Sequence, residues 1–422
     1  MPVFWQAGAS SIVREFANFT KSVEISKILR YEMVRRRSAG PVRVFVFEED
    51  FMTIPQTMIA ARMHTVGGEL RLETLETPRP GDMDVLVRVK ACGIVPNLGN
   101  ILANWTTWFP HMPLPPLPAV FGLDPAGEVA AVGRQVHGLK PGDRVYVNPG
   151  RSCGSCRHCR RGDTISCKHY AFQGYFGFSE HAMQTFADYP GGGLSEYMVA
   201  PASAIVRIPD NMDYGQAARL GYLGTAYSAL KKVNAGPGDT VLVNGISGTL
   251  GIGAAIFGLA MGVNKILGTG RDKKLLEEIK ALAPNRIEVF SITDGSVADF
   301  AMKHTDGEGV DAFLDCLGPG GLHETFRQGL LSLRRGGIAV DIGAIAGPVE
   351  IDVHRLMDRN QRLYGSAWLT TAEGQEMADM VGSGVVDLSL LETQSYPLAD
   401  VNSAISGIAQ RHGGFSNYVI CP

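Results

Sequence analysis

Alternation of apolar and polar positions dominates the first half of the chain, where Val85 to Lys90 and Glu128 to Val132 each read as a half-buried strand. Between Leu139 and Val147 a Pro141-Gly142-Asp143 turn separates polar residues from a resumed β run, so this half is organised as β structure. After about Met212 the period changes. Ala217 to Leu230 reads as a helix, Thr240 to Asn244 as a short buried strand and Gly251 to Gly262 as a helix. Lys265 to Gly268 follows as a strand and Asp272 to Leu282 as a helix, and Val310 to Asp315 and Gly337 to Ile342 continue the series. Strand and helix alternating at this spacing predict βαβ units around a parallel sheet. From about Trp368 the character changes again, which predicts a return to the first domain.

The expected divisions are an N-terminal extension at 1–51, a β-rich domain at 52–215, a doubly wound α/β domain at 216–367 and a C-terminal return at 368–422. Within the extension, Tyr31 to Arg37 is basic and Val42 to Phe47 is strand-like; it is either a helix with an appended strand or a translated leader ahead of Met52. The compact unit is expected to begin near Ile59.

A length of 422 residues exceeds what one hydrophobic core usually serves, and 45% apolar with 19% charged residues describes a folded chain. A net charge of -3 offers no general attraction to phosphate backbones or acidic membranes, so a nucleic-acid or membrane partner is not expected. The longest apolar run, Ile252 to Val263, falls short of the ~20 residues that cross a bilayer and reads as a buried helix. Arg14, Glu15, Lys21, Glu24 and Lys27 fall within the first thirty residues, which carry no continuous apolar core ahead of a small-residue cleavage site, so a secretory signal is not expected and the cytoplasm is the expected compartment.

Val241-Leu-Val-Asn-Gly245-Ile-Ser247-Gly248-Thr249-Leu250-Gly251 is a strand, a glycine-rich turn and the opening of a helix. Glycines let the backbone approach a pyrophosphate, and a helix N-terminus adds unpaired N–H groups and the positive end of its dipole. The spacing is Gly-x-x-Gly-x-x-Gly, so its weight comes from the βαβ context; the alternative is a packing turn without ligand. At the end of the next strand, Thr269-Gly270-Arg271 places no carboxylate where a ribose 2′-hydroxyl would be held, and supplies a cation. NADP(H) is therefore the expected cofactor, with Arg271 and Thr269 on the 2′-phosphate; the alternative for Arg271 is a solvated residue at a helix start.

Four of the seven cysteines, Cys153, Cys156, Cys159 and Cys167, lie within a lobe at 150–170, separated by two, two and seven residues. Four thiolates on short loops close into a tetrahedron that leaves no open position, which predicts one structural zinc; an iron–sulfur centre has the same ligand count. His158 and His169 are not expected to coordinate, and Arg157, Arg160 and Arg161 would offset the negative charge.

These pieces together resemble the medium-chain dehydrogenase/reductase superfamily, of the zinc alcohol dehydrogenase and quinone oxidoreductase type. The likeness is carried by Phe121-Gly-Leu-Asp-Pro-Ala-Gly-Glu-Val129, Pro141-Gly-Asp-Arg-Val145, the cysteine lobe, Gly192-Gly-Leu-Ser-Glu-Tyr197, Gly224-Thr-Ala-Tyr227 and the turn at 245–251. It implies an α/β protein with a GroES-like β-rich catalytic domain and a Rossmann-type cofactor domain, and a homodimer. The family's catalytic zinc ligands fall at Val95, Leu123 and Gly221, or Tyr222 if the alignment slips by one. None of these ligates zinc well, so the catalytic metal is expected to be absent.

Without a Lewis acid, hydride transfer from NADPH to an activated double bond in an enone, enal or quinone is the expected reaction. The alternatives are carbonyl reduction or alcohol oxidation without metal, and a non-enzymatic NADP-binding protein. Candidates for polar work are Asn97, Tyr222 and His111, against roles as a turn residue, a packing residue and a loop residue. Trp105, Trp108, Phe109 and Trp368 are candidates to line a pocket for an apolar or planar small molecule; the alternative is packing of the loop on its domain.

Overall fold

A computed structural model describes residues 54–422. The N-terminal extension, with its basic stretch and its strand-like segment, lies outside the described residues. The chain opens with β1 (Thr57–Met63), β2 (Arg71–Glu76), β3 (Asp84–Ile94), α1 (Leu98–Trp108), β4 (Ala119–Val120), β5 (Asp124–Val132) and β6 (Arg144–Val147). A two-stranded excursion, β7 (Gly150–Arg151) and β8 (Ala171–Phe172), brackets the cysteine lobe. Then come α2 (Ala182–Asp188), β9 (Tyr197–Pro201), β10 (Ile205–Arg207), α3 (Tyr214–Ala217) and α4 (Leu220–Lys232).

The second half holds β11 (Thr240–Asn244), α5 (Thr249–Ala260), β12 (Lys265–Gly270), α6 (Lys273–Ala281), β13 (Ile287–Ser291), α7 (Val297–Lys303) and β14 (Val310–Asp315). It continues through α8 (His323–Leu331), β15 (Leu333–Asp341), α9 (Val353–Asp358) and β16 (Arg362–Gly365). The return comprises α10 (Thr371–Gly382), β17 (Glu392–Pro397), α11 (Val401–Gly407) and β18 (Ser416–Cys421).

Two sheets organise these elements. The six-stranded sheet runs β13-β12-β11-β14-β15-β16 with every pair parallel, so the strand order reverses at β11 and opens a crevice beyond its carboxyl end. β11 is buried along Val241 to Asn244, as a strand covered by helices on both faces must be. The other large sheet runs β10-β6-β5-β3-β18-β17, with β9 also on β3. β18 joins it by pairing antiparallel with β3, Ile420 opposite Cys92, so the C-terminal segment does come back to the β-rich domain. A GroES-like domain beside a Rossmann-type parallel sheet is therefore the observed architecture.

The boundaries show where local pattern was incomplete. β3 reaches Ile94 rather than Lys90, because it pairs on both sides with β5 and β9 before meeting β18. The helix expected from Ala217 to Leu230 is two: Asp213 and Gln216 form a capping box on α3, and α4 starts only at Leu220. Asp272 sits outside α6, accepting hydrogen bonds from the N–H groups of Lys274 and Leu275 as its N-cap. α1 is the largest unexpected element. Leu98, Ile101, Leu102 and Trp105 bury one stripe of it at helical spacing.

Candidate functional site

At the carboxyl end of β11 the chain turns at Gly245, whose φ of 80° favours glycine, and the N–H groups of Gly245 and Ile246 both donate to the Thr269 carbonyl at 2.9 Å. Gly248 is the N-cap of α5 and brings no side chain to it, so the first-turn N–H groups face the crevice without an intrahelical partner. A Cβ on Gly251 would overlap the Gly245 carbonyl, which holds helix and turn in close contact. Ser247 and Leu250 are half-buried in the turn. The Thr249 hydroxyl is buried without a hydrogen-bond partner at the start of the helix. These residues fit a dinucleotide pyrophosphate.

Thr269 does not face outward as the expected 2′-phosphate donor. Its side chain is fully buried and its hydroxyl donates to Asn244 Oδ1 at 2.7 Å, while Asn244 Nδ2 donates to Asp315 Oδ1 at 2.8 Å. Alternation along β12 turns this residue inward, and an Asn–Asp pair waits there. Burial, only partly offset by the Asn244 amide, raises the Asp315 pKa to about 7. Arg271 is exposed at the mouth of the same strand end. Asp272 next to it is occupied as a helix cap, and Lys273 pairs with Asp294 at 2.8 Å.

The lobe brings Cys153, Cys156, Cys159 and Cys167 together with all four sulfurs within 4.8 Å of one another. Tetrahedral zinc with Zn–S bonds of about 2.3 Å needs sulfurs about 3.8 Å apart, so the cluster fits. Backbone N–H groups of Cys153 and His169 point at Cys167 Sγ at 3.5 and 3.4 Å, which suits a thiolate. His158 faces Asp163 at 3.5 Å and His169 Nδ1 faces the His181 carbonyl at 3.2 Å, so neither imidazole joins the cluster. Among the described residues this is the one group of three or more such side chains able to hold a metal.

The region where the resemblance puts a catalytic metal is filled instead. Val95 and Leu123 are buried apolar side chains. Gly221 has no space for a donor: a Cβ would overlap Asp124 Oδ1 and lie 2.7 Å from the Trp368 ring. Asp124 is buried, accepts the Tyr146 hydroxyl at 2.8 Å and is also held by the Gly221 backbone N–H. Desolvation outweighs these bonds and lifts its pKa from 3.8 to about 7. Burial likewise pushes the neighbouring Cys92 thiol and the Tyr222 hydroxyl up, so both keep their protons at neutral pH.

An aromatic wall links the expected pocket residues. Trp105 stacks on Phe176 with centroids 4.3 Å apart and touches Phe109 at 4.5 Å. Phe176 meets Phe172 at 5.3 Å, Phe172 meets Trp368 at 4.6 Å, and Trp368 meets Tyr222 edge-on at 6.2 Å. Asn148 Oδ1 accepts the Trp368 indole N–H at 3.0 Å and fixes that ring. Trp108 and His111 are exposed, with His111 edge-on to Phe109, and half-buried Asn97 accepts the Asn100 amide at 3.0 Å as α1 begins. Sequence reasoning missed Phe172 and Phe176, for which the aromatic density of Tyr170-Ala-Phe-Gln-Gly-Tyr-Phe-Gly-Phe178 was the available signal, and gave Asp124 no role.

Residues 81–210 match the alcohol dehydrogenase GroES-like domain family and residues 249–383 the zinc-binding dehydrogenase family. The chain is 28% identical over 361 residues to a sorbitol dehydrogenase of Bacillus subtilis, covering 85% of this chain and 95% of that one. Among solved structures it is similar to AibC, with a TM-score of 0.74 and 28% identity over 87% of this chain and 96% of the other. It is also similar to a cobalt- and zinc-bound thermostable alcohol dehydrogenase from Pyrobaculum aerophilum, with a TM-score of 0.70 and 28% identity over 87% of this chain and all of the other.

Metal analysis of the purified protein should find one zinc per chain, and Cys156→Ser should lower both the zinc content and the thermal midpoint by several degrees. Two tightly held zinc ions would contradict the filled pocket. Because the folded-state pKa of Asp124 is raised, its neutral form is the one the fold favours: its contribution is complete below 3.8 and is lost as pH rises to about 7. Denaturation of the wild type and Asp124→Asn across pH 4 to 8 should show the wild type losing ground over that window, and parallel curves would refute it.

Proposed function

From a chain with the fold of the medium-chain dehydrogenase/reductase superfamily, we propose an NADPH-dependent oxidoreductase that delivers hydride to an activated carbon–carbon double bond or quinone without a catalytic metal. The observation carrying this reading is the packing of Asp124 and Trp368 against Gly221, which takes the space a third metal ligand would need. In this reading residues 245–251 bind the pyrophosphate, Arg271 takes the 2′-phosphate at the mouth of β12, and Cys153, Cys156, Cys159 and Cys167 hold the structural zinc. The reduced nicotinamide, when bound, supplies the hydride.

Other steps belong to the chain's own residues. The wall from Trp105 through Phe172 to Trp368 orients a planar apolar substrate and excludes water. Tyr222, half-buried with its hydroxyl kept protonated, donates a hydrogen bond to the oxygen on which charge develops, and a side chain or water delivers the proton that completes the reduction. Asp124 stands within electrostatic reach of it. Asn97 and His111, on the α1 side, are the other candidate donors. The proposed assembly is a homodimer, for which β16 offers an open sheet edge.

The names of the similar dehydrogenases favour a second reading, reduction of a carbonyl or oxidation of an alcohol. Incubation with NADPH and matched enone, quinone and simple aldehyde substrates separates the two by product: a saturated ketone or a hydroquinone is expected, and turnover of the aldehyde alone would replace the first reading with the second. Arg271→Ala should weaken NADPH binding about tenfold or more while changing NADH binding little, measured by fluorescence titration. Equal effects on both cofactors would remove Arg271 from the 2′-phosphate.

A further inference from the structure

The Trp368 indole of the aromatic wall is held from the cysteine lobe. Only two residue pairs close that lobe at its base, Gly150 opposite Phe172 and Arg151 opposite Ala171. A ladder so short holds little by itself. Beyond it lie the four sulfurs, with Cys153 two residues past β7 and Cys167 four residues before β8.

Both strands of this base reach the indole. From β8, the Phe172 ring packs on it with centroids 4.6 Å apart. Ahead of β7, buried Asn148 offers one oxygen to two donors: its Oδ1 accepts the Gly150 N–H and the Trp368 indole N–H, each at 3.0 Å. Asn148 Nδ2 faces the Leu369 carbonyl and the Thr371 hydroxyl, both at 3.4 Å. One amide thus spans the base of the lobe and the stretch after β16. The indole also abuts Gly221, where a Cβ would lie 2.7 Å from it, and stands edge-on to Tyr222.

Arg151 fastens Asn148 in turn. Buried at 3% exposure, its Nη1 donates to the Asn148 carbonyl at 2.6 Å and to the Gly150 carbonyl at 3.1 Å. Its Nε and Nη2 both donate to Gln173 Oε1, at 2.9 and 2.6 Å, so the guanidinium crosses the hairpin base from β7 to the residue after β8. Gln173 Nε2 donates onward to the carbonyls of Gly191 and Val199, at 2.6 and 2.9 Å, which ties the base to β9. Burial lowers the Arg151 pKa only to about 10, so these bonds are charge-assisted at neutral pH.

We propose that Asn148 and Arg151 are positioning residues through which the cysteine lobe sets the substrate pocket. With the lobe closed on its metal they hold the Trp368 ring where a planar substrate packs, and opening the lobe releases it. What is lost is one buried hydrogen bond and the Phe172 contact, so the effect falls on substrate binding and not on hydride transfer. The proposal rests on the readings of the lobe as a zinc site and of the aromatic wall as the substrate pocket.

The test uses the full chain and reads Trp368 directly. Subtracting the fluorescence emission of a Trp368→Phe partner from that of each protein isolates this indole from the other tryptophans. Asn148→Ala should shift the isolated emission and raise KM for 1,4-naphthoquinone about tenfold, with kcat within about twofold of wild type. Arg151→Met should shift the emission in the same direction, and Asn148→Asp, which keeps the acceptor, should restore most of both effects. Stripping the metal from the wild type with a chelator, its loss followed by metal analysis, should move the emission likewise. Unchanged emission in folded Asn148→Ala, or in wild type that has lost its metal, overturns the proposal. Should Asn148→Ala not fold, the stripped wild type decides alone. Purified protein without zinc ends the metal reading and absence of quinone turnover ends the pocket reading, whereas the Asn148→Ala emission depends on neither and still decides whether the lobe base positions Trp368.

Discussion

The absence of a side chain at Gly221 governs the cleft. Only a glycine there lets the Asp124 carboxylate and the Trp368 ring close over the start of α4. Asp124 comes from β5, its Tyr146 partner from β6, Gly221 from α4 and Trp368 from the segment after β16, so four distant stretches meet at one contact. The indole is held in turn by Asn148, whose own backbone lies just after β6. Buried Val95, Leu123 and Trp368 surround one buried acid there.

A buried carboxyl with its pKa lifted to about 7 behaves differently from a surface carboxylate: below that pH it is largely neutral and accepts the Tyr146 hydroxyl without needing a counter-ion. The cysteine lobe is a different solution, with four sulfurs gathered on short loops and two backbone N–H groups aimed at Cys167 Sγ.

Legibility from sequence followed the range of the interactions. Four cysteines spaced within fifteen residues and a strand–turn–helix run are local, so both were readable and both assemble as expected. The βαβ rhythm was readable for the same reason. The pocket wall was only half visible, because Trp105 and Trp368 meet through Phe172 and Phe176, which lie far from either in the chain. α1 is hard to read locally because its buried stripe is short, four positions at Leu98, Ile101, Leu102 and Trp105, with no side-chain cap at Asn97 to mark its start. Thr269 was misread because a strand-end residue faces either side, and only the tertiary placement of Asn244 decides which.

The contact between Gly414 and Ser247 ties the last stretch of the chain, which is anchored to β3 through β18, to the loop at the head of α5. The head of α5, in the parallel-sheet half of the molecule, is thereby braced by backbone that belongs in sequence to a strand of the other sheet.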